Sequence, residues 1–155
     1  MNENTQKALE LLNEKKAVLV LCKEGDIQIF EKDSIKSLVS LCDSGKDYYG
    51  YSCAIKSAGR AAAFLLVNLE VTEVYAVSLQ KLAVNVLDRA EIAYTAENKF
   101  ENFSEIADEG APEKASSEEG SCTSETTEFL EKIENAVVRS GSALVALQDI
   151  RRALS

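Results

Sequence analysis

The stretch YSCAIKSAGRAAAFLLVNLEVTEVYAV, residues 51–77, decides the fold. From Cys53 to Leu69 apolar side chains fall nearly all round a helical repeat: Ala54, Ile55, Ala58, Ala61 to Ala63, Phe64, Leu65, Leu66 and Val67. A helix that is apolar on every side is packed on several sides, so the spacing predicts a central buried helix over 53–69. Gly59 and the three alanines would let another element approach it closely. After a short turn, VTEVYAVS (71–78) reads as a buried strand through Val74, Tyr75, Ala76 and Val77.

Toward the N-terminus, Asn4 or Thr5 caps a first helix carrying Ala8, Leu9, Leu11 and Leu12 and ending near Lys15 and Lys16. AVLVLC (17–22) reads as a strand buried on both faces. Glu24-Gly25-Asp26 is a turn signal, and IQIFE (27–31) alternates, so the two runs form a hairpin. Ser34 caps a helix with Ile35, Leu38, Val39 and Cys42 on one face, and Gly45 lies just past its end. A tyrosine-bearing loop, KDYYGY (46–51), leads into the central helix.

Toward the C-terminus, Leu79 to Arg89 reads as a helix and EIAYTAE (91–97) as a last short strand. Residues 104–124 hold the only proline among serines and acids, and too little apolar area to offset their ordering entropy, so they read as an acidic flexible loop. From about Glu125 a final helix carries Phe129, Ile133, Val137, Leu144 and Leu147 on one stripe, kinked or divided at Gly141. Strands joined through helices run parallel. The expected architecture is a three-layer α/β/α sheet, mixed, opening with an antiparallel hairpin. It divides into a core at 1–103, the loop at 104–124 and a C-terminal helix at 125–155 packing on the core.

Composition removes several function classes. The net charge of −9 is concentrated: residues 101–128 carry nine acids and one base, leaving the remaining 127 residues at −1. No basic stripe with interleaved aromatics offsets this, which speaks against nucleic-acid binding. The longest apolar run, Ala61 to Val67, is far short of the roughly 20 residues a membrane span needs. No basic segment followed by an apolar one opens the chain, so the expected location is cytoplasmic. The four cysteines, Cys22, Cys42, Cys53 and Cys122, form no C-x-x-C pair and read as reduced thiols. There is no histidine, which excludes imidazole acid/base chemistry, His-activated nucleophiles and His-based metal sites.

The residues GYSCAIKSAGRAAA (50–63), then L-L-V (65–67) and V-x-x-V-Y-A (71–76), resemble the signature of the uncharacterised domain-of-unknown-function 1893 family. That pattern is about G-A-x-V-A-D-K-V-V-G-K-A-A-A-L-L-L-V, a short turn, and V-Y-A. The resemblance covers about residues 8–103 and implies the cytidine-deaminase-like fold. Zinc deaminases of that fold carry H-x-E at the start of the central helix and C-x-x-C at the next. Here the matching stretches are Ala54-Ile55-Lys56 and Leu79-Gln80-Lys81-Leu82, which keep no ligand. No metal site and no cofactor are therefore expected. The family also tends to keep an Asp before the helix lysine, where this chain has Ile55, and a late C-P-M-E-K-A-V. Cys122-Thr123-Ser124-Glu125 is one match to that motif. Ile133-Glu134-Asn135-Ala136-Val137 fits its end better and puts Glu131 where the Cys would be.

On the predicted helix, Lys56 and Arg60 are one turn apart, in a region where the dipole disfavours cations. An anion held by both side chains and the helix N-terminus would favour them, with Ser52 as cap and Ser57 nearby. The competing reading is two solvated heads on buried stems. Cys53 at the helix start could be an activated thiol, though a Cys there is more often a small core hydrophobe. Glu134 is a candidate carboxylate base.

Three functional expectations follow. The first is a module without zinc that binds a small anionic, nucleotide-like ligand through Ser52, Lys56, Ser57 and Arg60. The second is an enzyme using Lys56 with Glu134 or Cys53. The third is a structural module whose C-terminal helix forms a homo-oligomer contact.

Overall fold

A computed structural model of the chain describes residues 2–31, 34–101, 127–137 and 142–154, with side chains in the helix at 127–137 described from Lys132 onward. Glu24 and Gly25 both have positive φ, 46° and 95°, and turn the chain between β1 (Leu19–Lys23) and β2 (Asp26–Phe30). Two such residues give the turn that matches the twist of paired strands. β1 lies between β2 and β3 (Ser52–Ala58) and is antiparallel to both, with Leu19 opposite Phe30 on one side and Ile55 on the other. β4 (Glu73–Gln80) and β5 (Ala93–Phe100) continue the sheet in parallel to β3, giving the order β2-β1-β3-β4-β5.

The connections explain the layers. α3 (Arg60–Leu69) links β3 to β4 and α4 (Lys81–Arg89) links β4 to β5. Right-handed crossovers in one direction put both helices on the same face. α2 (Ser34–Asp43), α5 (Thr127–Val137) and α6 (Ala143–Leu154) join them there, while α1 (Glu3–Glu14) lies against the other face. Alternation divides the strands accordingly. Leu19, Leu21, Cys53, Ile55, Val74 and Ala76 meet the helices around α3, and Val20, Cys22, Ala54 and Tyr75 meet Ala8 and Leu12 of α1. The mixed, hairpin-opened α/β/α sheet is the expected architecture.

α3 is the hub: Ala61, Ala62, Ala63, Leu65, Leu66 and Leu69 are buried between the sheet and the surrounding helices. The alanines let those helices approach. Ile133 and Val137 of α5 and Ala146, Leu147 and Ile150 of α6 are buried in the same core.

The largest correction concerns residues 53–58, which are strand and not the first turns of the central helix. As a strand, this segment pairs with β1 on one side and with β4 on the other. Lys56 donates its backbone N–H to Val18 O at 3.0 Å, as a sheet residue does. The helix starts after Gly59, whose extended backbone (φ −99°, ψ −171°) ends the strand. Smaller corrections have local causes. Asn2, and not Asn4 or Thr5, caps α1, its side chain accepting the Thr5 N–H at 2.8 Å. Leu79 belongs to β4. Glu91, at φ 60°, and Ile92, whose N–H bonds Leu87 O at 3.0 Å, close α4, so the last strand begins at Ala93. The C-terminal stripe is two helices, and Gly141 lies outside the described residues, as does the acidic segment 104–124.

Candidate functional site

α3 begins without a capping side chain of its own, because Gly59 has none to offer. Two side chains from elsewhere serve its first amides. Gln80, at the end of β4, accepts the Arg60 N–H at 2.9 Å and donates to Glu101 O at 3.0 Å. Glu134, from α5, accepts the Ala61 N–H through Oε2 at 2.8 Å. The Arg60 guanidinium turns toward the same carboxylate, with Nε 3.8 Å from Glu134 Oε1. That distance is an ion pair and not a hydrogen bond. Arg60 Nε and Glu134 Oε1 are both buried with no hydrogen-bond partner. Burial pushes the Glu134 carboxyl above the usual carboxylate range, against the lowering effects of the Ala61 amide and the Arg60 charge.

Arg60 also lines a cleft of about 380 Å³ between α3, α4 and the ends of α5 and α6. One wall is Arg60, Phe64 and Val67, a stripe along α3; the other is Leu82, Asn85, Val86 and Arg89, a stripe along α4. The two helices run in the same direction, each leaving the carboxyl end of a parallel strand. Arg60 thus stands at the end where both helices start, and Arg89 at the far end, roughly 10 Å along at 1.5 Å per residue. Val137, Ser142 and Ala143 line the cleft from the C-terminal helices.

The predicted site residues separate. Arg60 and Glu134 come together. Lys56 does not join them: it is exposed on β3, on the face of the sheet that carries Ala54 and α1. The one-turn relation of Lys56 to Arg60 dissolves because a strand, a turn and a helix start lie between them. Ser52 is buried at the opposite end of β3, roughly 20 Å from Ala58 at about 3.3 Å per residue, and donates to Asn2 Oδ1 at 3.1 Å. Ser57 is half-buried on β3, and the N-cap position of α3 is Gly59. Cys53 is fully buried in the core, where desolvation pushes its thiol far up. Cys42 is pushed up to about 11 by burial. Neither has the depressed pKa of a thiol nucleophile. Cys122 and the side chain of Glu131 lie outside the described residues. Gln80 and Arg89 were not singled out; the polar residue closing a strand just before the next helix was the available signal for Gln80.

The first residues of α3 and α4 are Arg60-Ala61 and Lys81-Leu82, with Gly59 and Gln80 ahead of them. These residue types do not fit a zinc ion. Among the described residues no group of three or more His, Cys, Asp or Glu could hold a metal, and no helix is long and apolar enough to cross a membrane.

Comparison with known proteins places this geometry. The sequence pattern of a domain of unknown function (DUF1893) matches residues 7–102. The crystal structure of a DUF1893 family protein from Thermotoga maritima superposes with a TM-score of 0.68 at 17% identity, covering 99% of this chain and 90% of that one. A dCMP deaminase from the cyanophage S-TIM5, in apo form, gives a TM-score of 0.44 at 14% identity over 64% of this chain and 100% of that one. No curated protein matches significantly. The strand order and layers, together with the match over residues 7–102, identify the chain: it belongs to the DUF1893 family.

Proposed function

We propose that the protein is a cytoplasmic α/β module that binds a small anionic ligand with an apolar or aromatic body, such as a nucleotide, in the cleft between α3 and α4. The observation that carries this reading is the cleft itself, about 380 Å³, with Arg60 at the end where both helices start. Small-molecule sites are typically concave and mostly apolar, with a few placed polar groups. Phe64, Val67, Leu82 and Val86 supply the apolar walls, Asn85 and Ser142 hydrogen-bonding groups, and the two arginines the charge. Arg60 is the residue best suited to the anion, because the N-terminal ends of two helices favour negative charge there.

A thermal-shift panel of AMP, CMP and inorganic phosphate tests it. The nucleotides are expected to raise the melting temperature of the wild type by several degrees, and Arg60→Ala to lose that response. No shift with any probe, or an undiminished shift in Arg60→Ala, contradicts the reading.

Exposed apolar residues on α6 favour a second reading, a contact between two copies of the chain. Leu144 is 60% exposed and Val145 43%, on the side of α6 opposite its buried residues. Light scattering on wild type and on Leu144→Asp/Val145→Asp decides it: a wild-type dimer that the variant dissociates supports the contact, and a monomeric wild type removes it.

A further inference from the structure

The cleft between α3 and α4 carries a cation at each end. Arg60 stands where both helices start, and Arg89 lies in the last turn of α4, roughly 10 Å away along the helix axes. The chain as a whole has 26 acids against 17 bases, yet no acid is among the described residues that line the cleft. The two ends are not equivalent. Arg60 shares its charge with Glu134, which stands off the cleft lining with Oε1 3.8 Å from Arg60 Nε. Arg89 is exposed and, among the described residues, makes no ion pair. Its nearest acids along the chain, Asp88 and Glu91, are exposed and off the lining. The helix dipole favours a base in the last turn of α4. It does not explain why that base shares an acid-free cleft with a second arginine.

Between the two heads the walls are apolar, with Phe64 and Val67 from α3 and Leu82 and Val86 from α4. Asn85, one turn before Arg89 on the same stripe, adds a hydrogen-bonding group. A ligand with one anionic group meets one arginine and leaves the other end of the cleft to solvent. A ligand with an anionic group at each end meets both, and a guanidinium's paired donors match the oxygens of a phosphate. We propose that the cleft takes a ligand with two anionic groups at opposite ends of an apolar or aromatic body, one held by Arg60 and the other by Arg89. A nucleoside bisphosphate is the nucleotide form of that ligand. The proposal rests on the anion-binding reading above and narrows its ligand. Arg89 is then the residue that separates a dianion of this kind from a monophosphate. Flexible arginine stems let the two heads close on groups nearer together than the helix positions themselves. Binding is non-covalent throughout.

Calorimetric titration of the wild type and of Arg89 variants with AMP and with adenosine 3′,5′-bisphosphate, at one pH and one salt concentration, tests it. The wild type is expected to bind the bisphosphate about tenfold or more tightly than AMP, the gain that one added charge-assisted contact supplies. Arg89→Ala changes an exposed side chain outside the core. It is expected to bind AMP as the wild type does and to lose the gain. Arg89→Glu reverses the charge and is expected to bind the bisphosphate less tightly than AMP. A wild type that binds the bisphosphate no more tightly than AMP overturns the two-ended site and leaves anion binding standing. So does a gain retained in Arg89→Ala, or an equal loss of both ligands in that variant. No binding of either ligand to the wild type overturns both readings.

Discussion

Arg60 occupies a place where a cation is ordinarily disfavoured, the first turn of a helix whose N-terminus already carries partial positive charge. Glu134 offsets this from another helix, and its own burial is offset by the Ala61 N–H and by Arg60. The compensation is incomplete, since the carboxyl is raised above its ordinary range. The consequence for stability has a definite sign. A carboxyl with a raised folded pKa binds a proton more readily folded than unfolded, so stability declines as pH rises from the ordinary glutamate range through the folded value. Asp26 acts in the opposite sense: hydrogen bonds from Lys46 and Tyr51 lower it, so its contribution is lost on acidification through its folded value. Urea midpoints followed across the carboxylate range should show Glu134→Gln losing part of the decline and Asp26→Asn losing part of the acid-side fall. Unchanged profiles in both variants would contradict these assignments. At this scale the sequence was half legible. Arg60 and Glu134 could be picked out as charged residues in otherwise apolar stretches. Their meeting could not, because 74 positions in the chain separate them and only the docking of α5 on α3 joins them.

At the scale of elements, β3 carries the main lesson. Cys53-Ala54-Ile55 suits a helix or a strand equally well, and the alanines after Gly59 pull any periodicity reading toward a long helix. Tertiary context overrode propensity, since β1 and β4 each needed a partner between them. Gly59 was the legible clue: glycine inside a helix costs about 1 kcal/mol relative to alanine, which marks it better as a boundary. Placing the boundary there moves Lys56 to the far face of the sheet and leaves Arg60 alone at the helix start. The C-terminal apolar stripe was readable in part: Ile133, Val137 and Leu147 are buried as expected, Leu144 is exposed, and Ile150, outside the stripe as read, is fully buried. Ile133→Ala and Ile150→Ala should each cost about 2–5 kcal/mol in urea unfolding, as buried large-to-small changes do. The exposed Leu144→Ala should cost no more than about 0.5 kcal/mol. Equal small effects at all three would mean that α5 and α6 are not part of the core.

For the whole molecule, the sheet order follows from a hairpin and two crossovers in one direction, with α1, among the described residues, on the opposite face. The hairpin and the crossover through α4 were visible in the sequence as a turn signal, apolar strand runs and amphipathic helices; the crossover through α3 was not, because β3 read as part of the helix. The cleft was not, because it is a property of how α3 and α4 lie side by side with the chain's last helices across their ends. Its walls come from residues 60–67, 82–90 and 137–143, and no local pattern connects them. A competing cationic region exists at the other end of the sheet. There Lys46 is paired with Asp26 at 2.6 Å, and Lys23 and Lys46 lie over the Tyr51 ring. The most direct test therefore follows backbone amides by NMR while AMP is titrated into the wild-type protein. The account predicts that the shifts concentrate at Arg60, Ala61, Phe64, Asn85 and Val86, and that Arg60→Ala abolishes them. Shifts confined to Lys23 and residues 46–51, or no shifts at all, would contradict it.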